Sequence, residues 1–350
     1  MLGQGDKMMQ KQKPAKLKPK QKKSRVNKVS IRSKHLAKHA AGKKKHQPNS
    51  YVRVFVAGGS RVGSNPIYEQ QVFELGKELG RQNYQLTFGL SSKGIMGAVA
   101  KGVMSEWLKK DENSRIPIPI QGITTTRYKQ LYPSDNVEGA KDIIVSQTLE
   151  QRKVNLLNAD FIVFVPGGVG TLDELSYNCL AIQDGFLDYK PFVLFNVDGF
   201  FHHLLEYLKE IHLKGFSDFI PFIVVDDIFE TRIAFEMIAH YCGKKKPDKQ
   251  QVLEAVNKLV YDFPYIVEQQ KQHPEISIAE LLRSKDQILQ GPRTKQRQEL
   301  QQAIETAYLN KEIARMYDRL AKAGRDTALV SHKLDQLKSR QQGGETNGFY

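Results

Sequence analysis

Phe161-Ile162-Val163-Phe164-Val165-Pro166-Gly167-Gly168-Val169-Gly170-Thr171-Leu172-Asp173-Glu174 is the stretch on which the reading of this 350-residue chain turns. Its first five residues are continuously apolar, as in a strand buried on both faces. Pro166 stops the run, three glycines follow within four residues, and Thr171 onward reads as a helix start. Glycine allows positive φ and lets a ligand come close to the backbone. The first N–H groups of a helix have no intrahelical partner and favour an anion. Thr171 reads as the helix cap and as a hydroxyl donor. Gly167, Gly168, Val169, Gly170 and Thr171 therefore read as a phosphate cradle. No Gly-Lys-Ser/Thr follows, so the loop is not a Walker A motif, and Gly-x-Gly-x-x-Gly is not matched either.

Outward from this stretch, strand-like and helix-like segments alternate. Tyr51–Ala57, Tyr84–Phe88, Ile116–Ile123, Asp142–Val145, Phe161–Val165, Phe192–Phe195 and Ile223–Val225 read as strands. The prolines of the third weaken it. Between them, residues 67–81, 95–104, 148–158, 171 onward, 200–212 and 231–242 read as helices, with Val72, Leu75 and Leu79 on one face of the first. Such alternation implies an α/β fold: a doubly wound, Rossmann-like parallel sheet covered on both faces. Ligands of these sheets sit at the carboxyl ends of the strands, where the Gly-rich segments fall. Gly59, Ser60, Gly94, Met96 and Asp173 are candidate lining residues of that pocket.

Three regions follow: a tail over 1–50, an α/β nucleotide-binding domain over 51–243, and a helical extension over 248–340. The tail holds 14 Lys, 2 Arg and one Asp, and so carries the whole net charge of +15. The other 300 residues balance at 37 basic and 37 acidic. With few large apolar residues, the tail is expected to be disordered. It reads either as an arm for nucleic acid or another anionic partner, or as a solvated extension, and a targeting or secretion role also stands open. The extension is rich in Gln, Lys, Glu and Leu, with Leu300, Ile304, Tyr308 and Ile313 near helical spacing. Two to four helices are expected there. No run of about 18 apolar residues occurs, so no membrane span is expected, and the protein reads as cytoplasmic. Two cysteines, Cys179 and Cys242, exclude a disulfide scaffold or a multi-cysteine metal site. The nine histidines show no ligand spacing, so no metal is expected.

Two side-chain groups could add chemistry to the cradle. Glu174 is either a carboxylate favoured by the helix dipole or a catalytic carboxylate facing a sugar. Arg152-Lys153, on a short helix before the buried strand, is either a solvated face or an anion grip.

Gln151-Arg152-Lys153, a strand, and Pro-Gly-Gly-x-Gly-Thr-x-x-Glu together resemble the LOG ("Lonely guy") family. These are cytokinin riboside 5′-monophosphate phosphoribohydrolases, once labelled lysine decarboxylases. Phe73–Leu79, Gly94-Ile95-Met96-Gly97 and Lys190–Phe201 extend the likeness over about 51–241. The resemblance implies cleavage of the N-glycosidic bond of a nucleoside 5′-monophosphate, of AMP or N6-modified adenine type, to free base and ribose 5-phosphate. It implies Arg152 and Glu174 as the catalytic pair, and Gly167, Gly168, Gly170 and Thr171 as phosphate ligands with Lys153 helping. It further implies no cofactor and a homodimer. The family commonly has Gly-Gly-Gly after its second strand, where this chain has Gly89-Leu90-Ser91. Leucine and serine lack glycine's freedom, so that loop is expected to take another path. The alternative is a non-catalytic module on the same fold that binds a nucleotide, the molybdenum cofactor or nucleic acid.

Overall fold

The protein is described by a computed structural model over residues 51–132, 137–218, 220–242, 249–292 and 294–322. The tail 1–50 and the chain beyond 322 lie outside the described residues, and the readings made of them stay with the sequence. Among the described residues, seven strands form one sheet: β1 (Arg53–Ala57), β2 (Gln85–Phe88), β3 (Ile120–Thr125), β4 (Ala140–Ser146), β5 (Phe161–Phe164), β6 (Phe192–Phe195) and β7 (Ile223–Val225). Their order is β4-β3-β2-β1-β5-β6-β7 and every neighbouring pair is parallel. The chain steps outward from β1 to β4, then returns to lay β5 along the free edge of β1. That return makes the β1–β5 boundary the topological switch point, where doubly wound sheets open a crevice for ligands.

The period-2 alternation of the strands divides the core into two halves. Val54, Val56, Phe161, Val163, Val193 and Phe195 face one side. They meet α1 (Pro66–Arg81), α2 (Gly94–Trp107) and α7 (Ile228–Cys242) through Val72, Leu75, Val99, Val103, Ile233 and Met237. Phe55, Ala57, Ile162, Phe164, Phe192 and Leu194 face the other. There they meet α4 (Leu149–Leu156), α5 (Val169–Gln183) and α6 (His202–Leu213) through Leu156, Leu175, Ile182 and Leu204. Both faces are buried, which is why β5 and β6 read as unbroken apolar runs.

Local signals set the helix starts near the sheet's carboxyl edge. Asn65 caps α1 by accepting the Ile67 N–H at 3.1 Å, with Pro66 at the first helical position. Thr148 caps α4 through the Gln151 N–H at 3.1 Å. Two elements differ from expectation. The third strand begins at Ile120 rather than Ile116, because Pro117 and Pro119 cannot donate to a ladder. Directly after it, Thr125 caps an unanticipated short helix, α3 (Thr126–Leu131), by accepting the Tyr128 N–H.

Among the described residues, three helices follow α7: α8 (Lys249–Gln272), α9 (Ile278–Gln290) and α10 (Lys295–Lys322). Leu259, Phe263, Ile266 and Leu282 join the same core as α7. Buried Lys285 on α9 pairs with buried Asp262 on α8. On α10, Lys311 binds Glu230, and Arg315 reaches the Val224 carbonyl at 2.8 Å. No helix among the described residues is long and apolar enough to cross a membrane.

α1 and α2 pack closely because Gly76 and Gly102 meet at their crossing. A Cβ on Gly102 would lie 2.1 Å from the Phe73 carbonyl oxygen. Gly102→Ala is therefore expected to lower stability by about 1–3 kcal/mol through overpacking, read as a fall in the urea midpoint at constant m-value.

Candidate active site

The first loop of each half of the sheet meets at the switch point. The Gly59 N–H donates to the Pro166 carbonyl at 3.2 Å, and a Cβ on Gly59 would lie 3.2 Å from the Gly167 Cα. The start of α2 closes the same junction. The Met96 N–H donates to the Gly59 carbonyl at 3.1 Å, and Gly94, at φ +63°, lies hard against the Ser60–Arg61 backbone. Gly59, Ser60, Gly94 and Met96, read as lining residues, thus come together.

α5 begins at Val169 with Gly168 at its cap position and no side chain capping it. This corrects the reading of Thr171 as the cap. Thr171 lies inside the first turn, buried, with its hydroxyl against Gly167. The glycines also act differently from expectation. None of Gly167, Gly168 and Gly170 has positive φ. Gly167 is required by space, since a Cβ there would lie 2.1 Å from Thr171 Oγ1. Gly168 and Gly170 face open space, with nothing within 4 Å of a built Cβ. What they provide is bare backbone at an uncapped helix start, which suits an anion.

Glu174 falls in the second turn of α5, not the first, so the dipole of the helix start does not explain it. It points inward, and Arg152 Nη1 meets its Oε1 at 3.2 Å. Arg152 arrives from α4 and is held by three groups. Its Nε donates to the Ile123 carbonyl at 3.1 Å, its guanidinium lies 5.5 Å from the Tyr128 ring centroid, and Gly89 leaves room for Nη2. A Cβ on Gly89 would stand 2.4 Å from that nitrogen. Burial pushes the Glu174 carboxyl up to about 7, against the opposing pull of Arg152. A carboxyl balanced near neutrality can carry charge or a proton at working pH.

Lys153 follows Arg152 on α4 and makes its own ion pair. Its ammonium binds Asp173 at 3.1 Å and lies 4.7 Å from the Tyr177 ring centroid. Lys153, expected to help hold the phosphate, thus shares its charge with Asp173, whose own side chain is largely exposed. Leu90 takes φ +58°, the left-handed bend that glycine adopts freely, so the loop keeps a glycine-like backbone despite the leucine. Burial pushes the Cys179 thiol up to about 11, which leaves it a poor nucleophile. Among the described residues, no group of three His, Cys, Asp or Glu side chains is placed to hold a metal. Tyr128 and the Ile123 carbonyl were not foreseen at this site, whereas Leu90 stands in the Gly89-Leu90-Ser91 segment that departs from the family's Gly-Gly-Gly. The only signal near them is Thr125-Thr126 ending a strand whose prolines obscured it.

A family model described as "Possible lysine decarboxylase" matches residues 96–220. The Arabidopsis thaliana "Cytokinin riboside 5'-monophosphate phosphoribohydrolase LOG3" is 31% identical over 172 residues, which are 49% of this chain and 74% of that protein. A rice protein (Oryza sativa subsp. japonica), "Probable cytokinin riboside 5'-monophosphate phosphoribohydrolase LOGL2", is 33% identical over 168 residues, and the chain spans 62% of its length. Among solved structures, the Moco carrier protein of Chlamydomonas reinhardtii aligns with 55% of this chain and 99% of its own. Its identity is 18% and its TM-score 0.40, a likeness that carries no functional argument.

Two outcomes are expected from this geometry. Gly167→Ala should cost about 1–3 kcal/mol, because Thr171 and Gly59 must give way, whereas Gly168→Ala should stay within about 0.5 kcal/mol of the parent in the same denaturation series. Glu174 binds its proton more tightly folded than unfolded. Its contribution to stability is therefore full below about pH 4.5 and lost as pH rises through about 7. Between about pH 5 and pH 8 the parent should lose on the order of 1–3 kcal/mol relative to Glu174→Gln; parallel stability curves would exclude the raised carboxyl.

Proposed function

Because the chain belongs to the LOG family, we propose that it hydrolyses the N-glycosidic bond of nucleoside 5′-monophosphates of AMP or N6-modified adenine type, releasing base and ribose 5-phosphate. One observation carries the reading: Glu174, buried in the turn directly behind the uncapped start of α5, is paired with the part-buried Arg152, which reaches it from the carboxyl ends of β2 and β3. A phosphate on the Gly168–Gly170 backbone would bring the sugar of a 5′-nucleotide to that carboxylate. Held phosphate supplies binding energy remote from the bond that breaks.

In the reaction, the C1′–N bond breaks and its electron pair leaves on the base. The sugar passes through an oxocarbenium-like state, which an ionised Glu174 stabilises. A water oxygen bonds to C1′ and gives its proton to Glu174, which can return it to the departed base. Arg152 orients the carboxylate and offsets the cost of its charge. It is not the proton donor, because guanidinium does not release a proton in a protein. No cofactor enters this scheme, in which the protein's own groups supply the charge and the proton path.

Purified protein incubated with AMP, GMP, CMP and N6-isopentenyl-AMP should release free base, read by chromatography, and Glu174→Gln should lower turnover at least about 100-fold while still binding AMP. The role requires the ionised carboxylate, so kcat/KM should rise as pH climbs through about 7. Binding of AMP without base release from any nucleotide would instead favour a non-catalytic nucleotide-binding module.

A further inference from the structure

Arg152 marks the far side of the site from the phosphate cradle. Its guanidinium spans the carboxyl ends of β2 and β3, touching the space at Gly89 and the carbonyl of Ile123, whereas the cradle belongs to β1 and β5. The groups around that far side are apolar. Met96 Sδ would stand 3.0 Å from a Cβ on Gly89, and the Tyr128 ring lies beside the guanidinium. Leu90 completes the set. Its side chain lies over Gly122 on β3, the residue before Ile123, with Cδ1 2.4 Å from where a Cβ on Gly122 would sit. Leu90, Met96 and Tyr128 are all partly buried rather than sealed into the core. An aromatic ring and two apolar side chains suit the flat face of a nucleobase, which is the part of the substrate left once phosphate and sugar are placed.

Leu90 stands out within this wall. It holds φ +58°, a backbone conformation costly for a branched side chain, at a position where glycine would sit without strain. The strained backbone aims a four-carbon side chain across the β2–β3 end of the site and takes up volume there. We infer that Leu90 is a specificity-determining residue that closes the base subsite against bulky exocyclic groups. The site then accepts nucleotides with an unsubstituted base in preference to those carrying an N6-alkyl group. The inference rests on the hydrolase reading for where the base lies.

The test compares AMP with N6-isopentenyl-AMP on the parent, Leu90→Gly and Leu90→Asn. Both replacements tolerate positive φ, so the backbone bend is kept and a folding failure of one leaves the other informative. Two readouts are taken: the ratio of kcat/KM values by base release, and the ratio of dissociation constants by calorimetry, in each case on a Glu174→Gln background for binding. A single methylene in an apolar pocket changes discrimination about 10- to 200-fold. In both variants the N6-isopentenyl-AMP to AMP ratio should therefore rise at least about tenfold in both readouts. A ratio that stays level, with both nucleotides weakened alike, would make Leu90 a structural residue only and overturn the inference while leaving the hydrolase reading intact. A shifted binding ratio with no base release from any protein would uphold Leu90 and remove the hydrolase. Failure of every variant to bind either nucleotide would overturn both.

Discussion

The hydrogen bond from the Gly59 N–H to the Pro166 carbonyl joins the first loop of one half of the sheet to the first loop of the other. It exists only because β5 returns to pair with β1 over Val54–Ala57. With those strands adjacent, three backbone segments, 59–61, 94–96 and 166–168, close on one another with almost no side-chain volume between them. A side chain at Gly59, Gly94 or Gly167 would force them apart. The uncapped start of α5 follows directly from this junction and leads to Glu174, which Arg152 meets from the carboxyl ends of β2 and β3. The pairing of two strands thus sets where an anion can bind and where a carboxylate can act.

The ion pair behind the cradle is a compromise between folding and chemistry. Burying a carboxylate is unfavourable, and the guanidinium offsets only part of that cost, which is why Glu174 holds its proton up to about pH 7. A better partnered carboxylate would stay ionised and stable, but would accept a proton poorly. Arg152 is itself over-determined, held by a carbonyl, an aromatic ring and the gap left by Gly89. That restraint keeps its charge on one side of Glu174 and limits the freedom lost when a ligand arrives.

The helices after α7 are fastened by charge as much as by apolar packing. Lys285 and Asp262 are buried together beside Tyr241, and Lys311 and Arg315 converge on Asp226 at the end of β7. Such pairs are poor sources of net stability, but removing one member leaves a buried charge unpaired. They therefore specify how α8, α9 and α10 sit against the sheet. Asp226 in turn accepts from the Asn196 side chain at 3.1 Å, so α10 is tied to the turn after β6 as well as to β7.

Arg152 and Glu174 stood out as a pair through the resemblance to the LOG family; the sequence by itself determined the α/β alternation, the buried strands β5 and β6, and the open glycine loop. These follow from local composition: apolar runs, turn residues and side-chain chemistry at fixed offsets in the chain. Only the tertiary structure decided what each of those residues does. Gly167 is needed for packing against Thr171 rather than for its φ, Lys153 is claimed by Asp173, and Leu90 takes a glycine's backbone while its side chain crosses to β3. The raised carboxyl of Glu174 and the contact of Tyr128 with Arg152 likewise arise between segments 22 and 24 residues apart in the chain. Burial, pairing and the space beside a glycine are set by what the fold brings alongside, and no local pattern in a single chain records its neighbours.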